Sequence, residues 1–67
     1  MAMSNTEMLE YLIAYIDNEI EQASNDHEKT FTIGEIEGIL FMLEVFNCDK
    51  MASMLDKKYR HLYNEWS

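Results

Sequence analysis

Proline is absent from this 67-residue chain, and glycine occurs only twice, at Gly34 and Gly38. So few breakers favour helix throughout. The one cysteine, Cys48, excludes an internal disulfide framework. Positive charge is scarce: five Lys and Arg stand against thirteen Asp and Glu, for a net charge of −8. That shortage argues against a general binder of nucleic acid or anionic membrane, because phosphate contacts need surplus Lys and Arg. No apolar run approaches the ~20 residues of a membrane-spanning helix. The first residues, MAMSNTEMLEYLIAYIDNEIE, lack a basic segment and carry acids where a signal peptide is apolar. With a free thiol, these features lead us to expect a reducing cytoplasm.

Apolar residues make up 48% of the chain, too many for a disordered acidic tail. We expect a single all-α domain. Domains of this size bury only about 60% of their unfolded surface, so they need support from close helix packing or oligomerisation.

Three helices are expected, over about 5–24, 33–46 and 50–65. Ser4, Asn5 or Thr6 can cap the first, with Glu7 and Glu10 near its positive end. Leu9, Leu12, Ile13, Ile16, Ile20 and Ala23 recur at helical spacing along one side. The polar stretch NDHEKT then reads as a connection. Thr32 with Glu35 has the capping-box spacing, and Phe31 with Ile36 the spacing of a hydrophobic staple. From Ile36 the second helix is apolar almost all round, with only Glu37, Gly38 and Glu44 on a polar strip, the mark of a buried helix. Asn47 can take the left-handed turn that ends it, and Asp49 can cap the third. Met51, Leu55, Leu62 and Trp66 form the third helix's apolar face, flanked by Met54, Tyr59 and Tyr63.

Charge is uneven. Residues 1–49 hold eleven acids and one Lys, a sum of −10; residues 50–67 hold four bases and two acids, a sum of +2. Glu7, Glu10, Asp17 and Glu21 fall on one flank of the first helix, and Tyr11 and Tyr15 on the other. Such stripes ordinarily keep a small protein soluble. They can also imitate a row of phosphates, with Glu10–Asp17 and Asp17–Glu21 about 10 and 6 Å apart along a helix.

No constellation of catalytic residues stands out. Cys48 with His27 or His61 has the types of a nucleophile and base but no surrounding signature. His27–Glu28 and His61–Glu65 lack the spacing of metal-binding helices, so no metal and no cofactor is expected. A helix-turn-helix reader using the third helix (Lys50, Lys57, Arg60) is opposed by the length and apolarity of helix 2 and by the overall charge.

Two neighbouring helices cannot cover all of helix 2. Gly38, Phe41, Met42, Val45 and Phe46 are therefore the expected interface of a homodimer. The functional expectation is a small non-enzymatic regulatory or inhibitory protein that binds another protein. Its sharper form is an acidic phage or mobile-element inhibitor of a nucleic-acid-handling enzyme, with Glu7, Glu10, Tyr11, Tyr15, Asp17 and Glu21 facing that partner. Alternatives are a small subunit of an obligate complex or, further off, a DNA-binding repressor.

Overall fold

Ser4 begins the first helix with a reciprocal pair of bonds. Its hydroxyl accepts the Glu7 amide at 3.1 Å, and the Glu7 carboxylate accepts the Ser4 amide at 3.2 Å. This capping box satisfies two otherwise orphan donors. A computed structural model describes residues 3–66, in which three helices follow one another: α1 Asn5–Gln22, α2 Asp26–Val45 and α3 Asp49–Glu65. The all-α, three-helix architecture agrees with the pattern in the sequence.

The second helix starts seven residues before the expected position 33. Asn25 is its N-cap and accepts the Glu28 amide at 2.8 Å. The Glu28 carboxylate turns back to accept the Ser24 amide at 3.0 Å and the Ser24 hydroxyl at 2.8 Å. NDHEKT is therefore the cap and first turns of α2, and the connection from α1 is only Ala23 to Asn25. Thr32 is not a cap. It is buried inside α2, and its hydroxyl donates back to the Glu28 carbonyl at 3.0 Å. The expected Phe31–Ile36 staple is absent too, since Phe31 faces solvent while Ile36 is buried.

Asn47 adopts φ of 63°, the left-handed conformation expected to end α2. Cys48, rather than Asp49, is the N-cap of α3, and no side chain bonds the first amides there. Asp49 lies one residue inside, where its charge still suits the positive helix end.

The core is one cluster of Ile16, Ile36, Leu43, Met51, Ala52, Leu55, Tyr59 and Leu62. Leu9, Leu12, Ile13 and Ile20 of α1, with Ile39 and Leu40 of α2, pack half-buried against it. Tyr59, expected on a flank, is fully inside. Its hydroxyl donates to the Asp17 carboxylate at 2.7 Å and so ties α3 to α1. Lys58 lies exposed beside it, with Nζ 5.6 Å from the Tyr59 ring. Lys29, the one base of residues 1–49, sits over Trp66 at 5.7 Å, a cation–π contact joining the start of α2 to the end of α3. No helix among the described residues is long and apolar enough to cross a membrane.

Candidate functional site

Helix α2 is buried on one side only. Thr32, Ile36 and Leu43 are enclosed. The outer side carries Phe31 (63% exposed), Phe41 (63%), Met42 (50%), Val45 (55%) and Phe46 (68%). The expectation of a helix buried nearly all round is thus corrected, because α1 and α3 cover less than its whole circumference. Phe41, Val45 and Phe46 are outside as expected, while Ile39 is half-buried. Met42, expected at the interface, is exposed, as is Met54 on the flank of α3, while Met51 is buried in the core. Isolated apolar residues at a surface are ordinary, but four on one helix and a fifth at its C-cap form a patch of the kind that marks an interface.

Both glycines lie on this exposed side, and a Cβ built at either would meet nothing within 4 Å. Neither has positive φ. The fold therefore gives no local reason for glycine at 34 or 38, although each costs a helix interior about 1 kcal/mol relative to alanine. On the α1 side, the patch runs into an apolar groove of about 490 Å³. Met8 and Leu12 form one wall, and Gly38, Ile39, Met42 and Phe46 the other.

The end of the groove is acidic. The Tyr15 hydroxyl donates to Glu35 Oε2 at 2.6 Å and lies 3.3 Å from Glu19 Oε1. That bond to Glu35, reinforced by burial, pushes the phenol up to about 12. The Glu19 carboxyl is held above the usual carboxylate range, first by hydrogen bonding to Glu35 and then by desolvation. Glu35 Oε1 is enclosed and receives no conventional donor. Glu35 lies close enough to disfavour the charge on Glu19, as neighbouring carboxyl groups do.

The expected α1 binding set divides under this geometry. Glu7 closes the capping box, Tyr15 is bonded to Glu35, and Asp17 receives Tyr59. These three side chains have structural work within the fold. Glu10, Tyr11 and Glu21 point outward without such a bond, Tyr11 at 63% exposure. The acidic row is therefore less uniform than its spacing suggests.

Candidate chemistry is not brought together. His27 is in the first turn of α2 and Cys48 lies beyond its far end, about 30 Å along the helix at 1.5 Å per residue. His61 is likewise well down α3 from Cys48. The Cys48 thiol is half-buried, 3.8 Å from the Phe46 carbonyl. No group of three His, Cys, Asp or Glu side chains suited to a metal converges among the described residues. On α3, Lys50, Lys57 and His61 are exposed, and Arg60 pairs with Asp56 at 2.6 Å one turn away.

Sequence reasoning missed two members of the α2 surface, Phe31 and Gly34. The signal was available in Asn25–x–x–Glu28, a second cap-like spacing upstream of Thr32. Starting the helix there carries Phe31 onto the same side as Gly38 and Phe41, a side that Gly34, already within the expected helix, shares by its spacing. No protein family, curated protein or solved structure was found to match the chain.

Proposed function

We propose that this chain is a small, acidic, non-enzymatic regulatory or inhibitory protein that works by binding other polypeptide chains. In this reading, the outer face of α2 joins two copies into a homodimer, and the outward acids of α1 face a different protein. The observation that carries it is the apolar side of α2, with Phe31, Phe41 and Phe46 each about two-thirds exposed. An apolar strip of this size is costly to leave in water and is normally covered.

Phe41→Asp tests the reading, because Phe41 is outside the core and its replacement leaves the monomer able to fold. Self-association is expected to weaken roughly a hundredfold, the scale of losing an interface hot spot. Unchanged association of a folded Phe41→Asp protein would remove the α2 face from the proposal.

Glu10 and Glu21, both exposed on α1, support the inhibitory version. Exposed carboxylates suit a basic surface such as the nucleic-acid channel of an enzyme. Binding there is expected to weaken steeply with salt and to compete with nucleic acid. Salt-insensitive binding would remove the charge mimicry while leaving protein binding in place.

A further inference from the structure

The exposed side of α2 has an internal order that specifies how a second copy would lie on it. His27, Phe31, Gly34, Gly38, Phe41 and Val45 recur at alternating steps of four and three, and all six are exposed. That 3.5-residue period keeps one seam facing a partner helix. Size along the seam is graded, with two glycines in the middle, a phenylalanine one turn out on each side, and Met42, Val45 and Phe46 further along. Crossed helices are closest at one point and diverge on both sides, so small residues belong at the crossing and large ones beyond it. The seam's gradient has that form.

We infer that two copies pair through α2 in antiparallel orientation, with the two-fold axis passing level with residue 36. The inference rests on the homodimer reading and gives it a geometry. Residues whose numbers sum to 72 then lie opposite one another: Gly34 against Gly38 of the second copy, and Phe31 against its Phe41. The glycines let the backbones approach within the usual 8–10 Å between helix axes, and the aromatic pairs fill the gaps on either side. A parallel pair would align the two helix dipoles side by side, whereas the antiparallel pair opposes them.

The area agrees with a second copy as the occupant. A phenylalanine can bury roughly 150–250 Å². Three at about two-thirds exposure, with half-exposed Met42 and Val45, give roughly 550 Å² per copy. Doubling by symmetry gives roughly 1,100 Å², near the lower limit for a specific interface. Within the seam there is no charged side chain for a basic or acidic partner to meet. Glu35 and Glu37 flank it on either side, and Glu35 is already bonded to Tyr15.

Cross-linking separates this geometry from other dimers. In a Cys48→Ala background, chains with Gly34→Cys are mixed with chains carrying Gly38→Cys and oxidised gently. The close crossing brings these positions within the 4.4–6.8 Å Cα separation of a disulfide. The mixed disulfide is expected to exceed either self-linked product roughly tenfold. Predominant self-linking at 38 would establish a parallel pair and overturn the inference. Absence of cross-links in a protein that still sediments as a dimer would move the interface elsewhere, again overturning it but leaving self-association intact. A monomeric Cys48→Ala parent would overturn the homodimer reading as well. As a second measurement, Gly38→Leu is expected to weaken the dimer roughly tenfold or more while the dilute monomer keeps or gains thermal stability. Equal or tighter association in that variant contradicts the close crossing.

Discussion

At the scale of single residues, Tyr59 with Asp17 is the hydrogen bond that joins α3 to α1. The phenol is buried, and burial together with the bond to Asp17 holds it protonated well above its ordinary range. Removing the carboxylate leaves an enclosed hydroxyl with only the Ile13 carbonyl, 3.5 Å away, as a weak partner. Asp17→Ala is therefore expected to lower stability by about 1–3 kcal/mol, measured by urea unfolding; no loss would mean that the bond is dispensable. The Glu19–Glu35 pair gives a second expectation. Because the folded chain raises the Glu19 carboxyl above its reference value of 4.5, the folded state holds that proton more tightly than the unfolded state. Its contribution is present below 4.5 and is lost as pH rises through the raised value. Glu19→Gln, a permanent donor of similar shape, is expected to flatten that fall and to stabilise the protein at neutral pH. Glu28 has the opposite sign: Ser24 lowers it, so its contribution is lost as pH falls through the lowered value. Thermal unfolding of the parent and of Glu19→Gln between acid and neutral pH measures the difference. A Glu19→Gln protein whose pH profile matches the parent contradicts the raised Glu19 carboxyl.

At the scale of elements, helix identity was legible and one boundary was not. Periodic Leu and Ile of α1, the Met–Leu–Leu face of α3 and the Asn47 turn all gave their elements directly. The start of α2 was obscured because two cap-like signals compete, Asn25 with Glu28 and Thr32 with Glu35. The polar run between them looks like a loop when each residue is taken alone. Packing resolves it, since Thr32 is needed inside the helix, where its small buried side chain bonds back to Glu28. Two substitutions measure the boundary. Asn25→Ala is expected to cost about 1 kcal/mol, the usual loss of an N-cap. Thr32→Val should stay within about 0.5 kcal/mol of neutral, because the hydroxyl bond it removes is a supplementary one on a helix carbonyl. The reverse order in chemical denaturation would restore the later helix start. The same boundary explains why the candidate surface was only partly legible. Phe41, Val45 and Phe46 stand out as surplus apolar residues, whereas Phe31 joins them only once α2 is extended upstream, and Gly34 has no side chain to mark it as part of the surface.

At the scale of the whole molecule, the two proposed contacts respond to charge in opposite directions. Each copy carries a net charge of −8, so two copies repel, and an apolar pairing must overcome that repulsion. Added salt screens the repulsion and is expected to strengthen self-association. Binding of a basic partner by the α1 acids is expected to weaken under the same change. A salt titration therefore sorts the two contacts, and self-association that falls with salt would contradict an apolar interface. The acidic side was legible as composition, but its division of labour was not. The spacing of Ser4 and Glu7 already has the capping-box form, but only three-dimensional placement shows Tyr15 and Asp17 committed to the fold, with Glu10, Tyr11 and Glu21 left outward.

The central claim is that a second chain covers the outer face of α2. Sedimentation equilibrium of the purified protein at micromolar concentration tests it most directly. The expected result is twice the 8.0 kDa chain mass, reverting toward 8.0 kDa on dilution and in the Phe41→Asp variant. A parent protein that remains at 8.0 kDa across the whole concentration range would contradict it.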